Sequence, residues 1–321
     1  MNRTVERCDG GVLIVLAILA AAIPFVLSGY EIKLATTITI QAGLAVALGL
    51  VVGPAGLISL GHAAIYGIAA YLLALQAPAD EPASLIPTAV VAILGAAAAA
   101  AVIGAISIRS RGLYFILMTL AFGQLGYHFF NDFGIGGSSD GTYVNFRPEL
   151  LLPGWTVSFD KATSFYGLVY VVVFCVVGLC WWLRRSAFGS ILVAARDNEV
   201  RTRAFGYSPY AVRLIAFVIS GAMAGAMGYL TAAQHGFVAP QLLAWHASAT
   251  ILVMVLIGGK DTTSGPALGA IVLLLAEEIL QRMTEHWLVG VALIIIIAVI
   301  AAPNGLLPYA TKLLASRSAH A

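Results

Sequence analysis

The residues of this sequence that could do chemistry are a few polar side chains set within long apolar stretches. Ser59 and His62 lie in a glycine-rich stretch, and Thr119 and Gln124 lie in a later apolar segment. If these stretches cross a membrane, the polar side chains are costly there and are candidates to line the path of a solute. The alternative is a packing role, in which His62 forms a hydrogen bond with a neighbouring helix. Both interpretations stay open.

Other kinds of chemistry are absent from the sequence. A phosphate-binding loop for ATP needs a glycine four residues before the pair Gly258-Gly259, and position 254 is Met. The cysteines, Cys8, Cys175 and Cys180, give no disulfide framework. We see no cluster of metal ligands, no nucleophile triad and no basic patch typical of a nucleic-acid partner. We therefore expect a protein that is not an enzyme and holds no metal or cofactor.

The composition places these residues in a membrane. Of the 321 residues, 60% are hydrophobic and 10% are charged, whereas soluble domains carry about 25% charged residues. We expect one all-α domain over residues 1–321, a polytopic bundle of about ten transmembrane helices. The eighth segment is short, which suggests a tilted, broken or re-entrant helix. The ten apolar segments lie at approximately 11–29, 34–53, 56–76, 85–107, 112–130, 164–183, 209–233, 246–258, 265–281 and 287–302.

The basic residues predict the orientation. With a cytoplasmic N-terminus and ten crossings, 13 of the 17 basic residues fall on the cytoplasmic side, as the positive-inside rule requires. The C-terminus, with Lys312 and Arg317, then also lies in the cytoplasm. The basic residues left outside are Lys33, Arg147, Lys161 and Arg282.

Two polar segments interrupt the apolar pattern, an outside loop at about 131–163 and an inside loop at about 184–208. The inside loop predicts two short helices. Phe188, Ile191, Leu192 and Ala195 share one apolar face of the first helix, and Asn198 caps the second. Such a helix pair suits docking to a soluble partner, and it equally suits resting on lipid headgroups.

Motifs in one order along the chain resemble those of a transport family, the M-type permeases of branched-chain amino acid importers of the ATP-binding cassette (ABC) class. Urea and amide permeases are close relatives of that family. The motifs are the stretch 56–63 (GLISLGHA), 111–115 with 119–122, Phe188-Gly189, 195–199 with 204–206, 216–220 with Ala224-Gly225, and Gly258-Gly259 with Gly265-Pro266 and Gly269-Ala270.

The resemblance implies an assembly in a bacterial inner membrane. This chain would pair with a second, H-type permease, two cytoplasmic ATPase subunits would bind ATP and Mg²⁺, and a periplasmic binding protein would deliver solute. Branched-chain amino acids are the implied solute, with urea, short amides or aromatic acids as alternatives. An ion-coupled secondary transporter is the alternative class.

The resemblance also makes the inside loop the element that docks on the ATPase. Phe188, Val200 and Phe205 would be apolar anchors in a groove of the ATPase, and three arginines would form a polar rim. The residues assigned to this coupling role are Phe188, Arg196, Asn198, Glu199, Val200, Arg201, Arg203, Phe205 and Gly206.

Overall fold

A computed structural model describes residues 3–27, 29–152, 154–303, 305–307 and 309. The C-terminal Lys312 and Arg317, expected in the cytoplasm, lie outside the described residues. The described part of the chain forms twelve α-helices. In chain order they are α1 (Arg3–Val26), α2 (Tyr30–Val52), α3 (His62–Gln76), α4 (Leu85–Ser107), α5 (Leu113–Asp132), α6 (Ala162–Arg185), α7 (Ala187–Asp197), α8 (Glu199–Ala204), α9 (Pro209–His235), α10 (Trp245–Gly258), α11 (Ser264–Met283) and α12 (Trp287–Ala301).

Each of the ten predicted apolar segments contains one helix, and the two further helices, α7 and α8, form the inside loop. Seven of the ten are long and apolar enough to cross a membrane. The other three, α3, α10 and α12, have 14 or 15 residues. A helix of that length spans about 22 Å, less than the roughly 30 Å of a bilayer core. The short eighth segment predicted from sequence is α10, which follows a 3₁₀ turn at Pro240–Leu243.

The third helix begins later than the sequence predicted. Residues 53–61 are not helical, although the sequence analysis had placed a helix from residue 56. Pro54 has no N–H to donate to a helix. Gly56 has a φ of 67°, in the left-handed region. The N–H of Leu57 bonds to the carbonyl of Val51 instead of continuing the helix. We call residues 53–61 the unwound segment.

Small residues set the helix packing at the centre of the bundle. In the membrane-length stretches of α2 and α9, 78% and 72% of the residues are buried, against 6% in that of α1. Helices α2 and α9 therefore form the centre of the bundle, and α1 lies at its periphery. Gly221 and Gly225 of α9 face Ala100 and Ala96 of α4 so closely that a methyl group on either glycine would collide. The two glycines form a Gly-x-x-x-Gly motif of the kind that lets membrane helices pack closely.

The outer loop contains β-structure that an all-α expectation omitted. Strand β1 (Thr142–Tyr143) pairs antiparallel with β4 (Phe237–Val238), and β2 (Leu150–Leu152) pairs with β3 (Trp155–Val157). The β1–β4 ladder ties the loop between α5 and α6 to the end of α9, and the β2–β3 ladder lies within that loop.

The inner loops share one face of the bundle. Asp9 of α1 accepts hydrogen bonds from the N–H groups of Thr263 and Ser264 and so caps α11. Arg184, at the end of α6, donates to the carbonyls of Lys260 and Thr262. The inner ends of α1, α6 and α11 are therefore fastened together on the side where the sequence placed most of the basic residues.

The fold predicts that Ser139 and Val200 lie on opposite sides of the membrane, since α6 separates their loops and both residues are exposed. In cysteine-free protein, Ser139→Cys should react with an impermeant maleimide only in intact cells and Val200→Cys only in inverted vesicles. Thr202→Cys, at a buried position, is the silent control. Reaction of both exposed positions from one side would contradict the fold.

Candidate functional site

The unwound segment ends in a buried chain of hydrogen bonds around His62. The Nδ1 atom of His62 lies 3.0 Å from Oγ of Ser59, and Nε2 lies 2.9 Å from Oγ of Ser220 on α9. The hydroxyl of Ser220 also donates to the carbonyl of Ala47 on α2, at 2.6 Å. His62, Ser59 and Ser220 are all fully buried. This chain of bonds connects α2, α3 and α9 at one level of the bundle.

The bonding pattern defines the tautomer of His62. Because the single hydroxyl hydrogen of Ser220 goes to Ala47, its oxygen accepts the hydrogen bond that the N–H at Nε2 of His62 donates. Ser59 accepts from the N–H of Gly61 and still has its hydroxyl hydrogen to donate to Nδ1. This pattern fits a neutral imidazole with its hydrogen on Nε2, and both ring nitrogens are bonded.

Side chains from other helices cap the backbone that the break leaves unpaired. Thr119 of α5 accepts a hydrogen bond from the N–H of Leu60, at 3.1 Å. Ser248 of α10 accepts from the N–H of Ala63, at 3.0 Å. A helix start leaves its first N–H groups without partners, and these two hydroxyl groups supply two of the missing acceptors.

Three of the four polar residues predicted to line a path, Ser59, His62 and Thr119, lie together at the unwound segment, and all three are buried. Gln124, five residues beyond Thr119, is not part of this cluster, and its Nε2 atom is buried with no hydrogen-bond partner among the described residues. Ser220 and Ser248 were missed by the sequence reasoning. The same signal, a hydroxyl group within an apolar helix, would have found them.

The first helix of the inside loop, α7, is fixed against the bundle. Ser186 caps it by accepting from the N–H of Gly189. Leu192 and Ala195 are fully buried, and Phe188 and Ile191 pack against the same core. The predicted apolar face is confirmed. It faces this chain's own core, so Phe188 is half-buried here.

The second helix, α8, turns apolar side chains outward. Asn198 caps it through the N–H of Arg201, at 2.9 Å, and Gly206 follows its end with a φ of 86°. Val200 and Phe205 are 79% and 75% exposed. A groove runs between α7 and α8, lined by Ser190, Val193, Ala194, Asp197, Asn198, Arg201, Thr202 and Phe205.

Glu199 ties α8 to two other parts of the chain. Its carboxylate lies 2.6 Å from Arg213 of α9 and 2.6 Å from Arg111, which precedes α5; Arg203 lies 3.7 Å away. Burial alone would raise the pKa of Glu199, but the hydrogen bond from Arg213 and the charges of the three arginines outweigh it and lower the pKa. Glu199 is therefore ionised at neutral pH.

Arg196 turns back towards the unwound segment. Its Nη1 atom donates to the carbonyl of Gly53, at 2.9 Å, and its side chain packs over Gly56. Nη1 also lies 3.7 Å from Asp261. Arg201 and Arg203 are exposed on α8. The three arginines predicted to form one polar rim therefore differ: Arg196 contacts the bundle, and the other two face outward.

The fold defines a class, the multi-pass helical membrane proteins: many apolar helices, a non-helical break within the bundle and a structured loop between α6 and α9. The described residues contain no group of His, Cys, Asp and Glu side chains that could hold a metal ion.

Comparison with known proteins identifies the family. Residues 31–300 match the model of the family described as branched-chain amino acid transport system, permease component. The chain belongs to this family, whose members are permeases of ABC importers.

Individual relatives agree with the family. The high-affinity branched-chain amino acid transport system permease protein LivM of Escherichia coli (strain K12) is 32% identical, over 92% of this chain and 74% of the relative. LivM of Salmonella typhimurium is 30% identical, over 96% and 77%. The autoinducer 2 import system permease protein LsrC of Escherichia coli O9:H4 is 30% identical over 41% of this chain and 40% of its own length. No solved structure matches the chain.

The ion-pair cluster predicts unequal costs of mutation. Glu199→Gln should lower the free energy of unfolding by about 1.5–3 kcal/mol, because Arg213 loses a charged hydrogen bond in a largely buried position. Arg111→Gln should cost only about 0–1 kcal/mol, since the Arg111 side chain is mostly exposed. Unfolding of the purified protein in mixed micelles measures both. Equal costs for the two variants would show that the contact with Arg213 is not the stronger one.

Proposed function

We propose that this chain imports branched-chain amino acids as one permease subunit of an ABC importer in a bacterial inner membrane, with its N-terminus in the cytoplasm. The family and the two LivM relatives support this solute class. The distribution of the basic residues supports the orientation. Urea, short amides or aromatic acids are the alternative solutes.

The proposed assembly has further subunits. A second, H-type permease completes the pore, two cytoplasmic ATPase subunits bind ATP and Mg²⁺, and a periplasmic binding protein delivers the amino acid. Permease families of this kind work with such partners, and the exposed loop of α7 and α8 offers a surface for one of them.

The exposed apolar side chains of α8 carry the proposal that this loop docks on the ATPase. Val200 and Phe205 stand on a surface that is otherwise rich in charge, with Arg201 and Arg203 beside them. An apolar anchor with a charged rim is the usual division of work in a helix that fits a groove. Phe188 and Arg196 face the bundle instead, so we assign them to holding the loop rather than to the ATPase contact.

The polar cluster of the bundle is proposed to lie beside the path rather than to bind solute directly. Ser59, His62 and Thr119 already satisfy one another and the backbone, which supports a packing role for His62. The Nε2 atom of Gln124 has no partner within the described part of the chain, so Gln124 stays a candidate for solute contact.

Uptake by the assembled complex tests this function. In proteoliposomes that contain both permeases and the ATPase subunits, external leucine and its binding protein should give uptake that requires internal ATP. Ionophores that collapse ion gradients should leave the rate unchanged. Uptake that needs a gradient and no ATP would favour a secondary transporter, and competition by urea or an aromatic acid but not by valine would change the solute class.

The Phe205→Asp variant tests the docking surface in the same assay. The aspartate would put an unpaired charge into an apolar contact and remove the burial of the phenyl ring. We therefore expect the variant to insert normally, to bind the ATPase about 100-fold more weakly and to lose uptake. Phe205→Leu is the matched control and should keep both. Full ATPase binding by Phe205→Asp would indicate instead that α8 rests on lipid headgroups.

A further inference from the structure

The unwound segment rises from the inner face into the middle of the bundle. At its lower end the carbonyl of Gly53 is bonded by Arg196 of the inside loop. At its upper end His62 is bonded to Ser220, which lies about 16 Å along α9 from Pro209. Residues between these ends therefore carry non-helical backbone at the depth of the hydrocarbon core.

One edge of this segment faces out of the chain. Leu57, Ser59 and Gly61 are buried, whereas Gly56 is exposed, Ile58 is 38% exposed and Leu60 is half-buried. This alternation is that of an extended chain with one side packed on the bundle. The outer edge is defined as residues 56, 58 and 60; within the described part of the chain its only cover is the Arg196 side chain over Gly56.

The backbone of the segment has hydrogen-bonding groups to spare. Its N–H groups at Leu57, Leu60 and Gly61 have protein partners. Within the described residues, no donor reaches the carbonyl oxygens of positions 57–60, and no acceptor reaches the N–H of Ile58. Irregular backbone at membrane depth is tolerated only where protein buries it or where it lines a water-filled cavity. Lipid is thus excluded as the neighbour of this edge.

We propose that the outer edge of the unwound segment lines the aqueous path of the assembled permease, where water and a hydrogen-bonding solute occupy its free carbonyl groups. This inference rests on the proposed function of the chain as a transport subunit. A helix of a partner subunit is the other possible cover, but its N–H groups are bonded within the helix, so it would have to supply a side-chain donor for each free carbonyl.

Thiol accessibility in the assembled complex tests the proposal. In a cysteine-free background, Ile58→Cys should react with a charged, water-soluble methanethiosulfonate at least about tenfold faster than two controls, because only a hydrated thiol ionises to the reactive thiolate. One control is Leu57→Cys, on the buried edge of the same segment. The other is Leu94→Cys, which is exposed on the apolar surface of α4.

The outcomes separate this proposal from the proposed function. Reaction needs no transport, so a complex that fails to import leucine still reports whether the edge is wet. The proposal is overturned if Ile58→Cys reacts with the methanethiosulfonate as slowly as Leu94→Cys does. It is equally overturned if Ile58→Cys can be crosslinked to the partner permease but does not react with the methanethiosulfonate. Leu60→Cys, on the same edge, gives the answer if Ile58→Cys fails to assemble.

Discussion

The constraint on which this structure depends is that non-helical backbone within a membrane must find hydrogen-bond partners. The chain breaks its helical course at residues 53–61 and restarts α3 at His62 within the bundle. Hydroxyl groups from α5, α9 and α10 converge where the break meets α3: Thr119 accepts from the N–H of Leu60, Ser248 from the N–H of Ala63 and Ser220 from His62. The need to pair this backbone, together with the small-residue contacts, therefore positions the helices that surround α3.

The inside loop is joined to the break by two contacts. Arg196 of α7 holds the carbonyl of Gly53 at its lower end. Glu199 of α8 holds Arg213 of α9, and α9 carries Ser220, which contacts His62 at its upper end. A displacement of the loop would therefore act on both ends of the unwound segment. This provides a physical route by which a change at the loop reaches the middle of the bundle.

The sequence predicted the local elements well and the direction of side chains poorly. Apolar runs located ten helices, and the predicted capping residue Asn198 marks a real helix start. The apolar pattern alone predicts that α3 starts at residue 56, whereas it starts at His62. In the structure the N–H of Gly61 bonds to Ser59 instead of to a helix carbonyl, and this choice depends on where the segment packs. The pattern also could not show that Arg196 points inward to Gly53, a contact between residues far apart in the chain.

The most direct test of this account is a double-mutant cycle between His62 and Ser220. Both side chains are buried and bonded to each other, so His62→Ala and Ser220→Ala should be coupled by about 0.5–3 kcal/mol in the free energy of unfolding, measured on the purified permease in mixed micelles. The account predicts that the double variant is less destabilised than the sum of the single variants. Additive costs, within about 0.3–0.5 kcal/mol, would show that the two residues do not act together and would contradict the account.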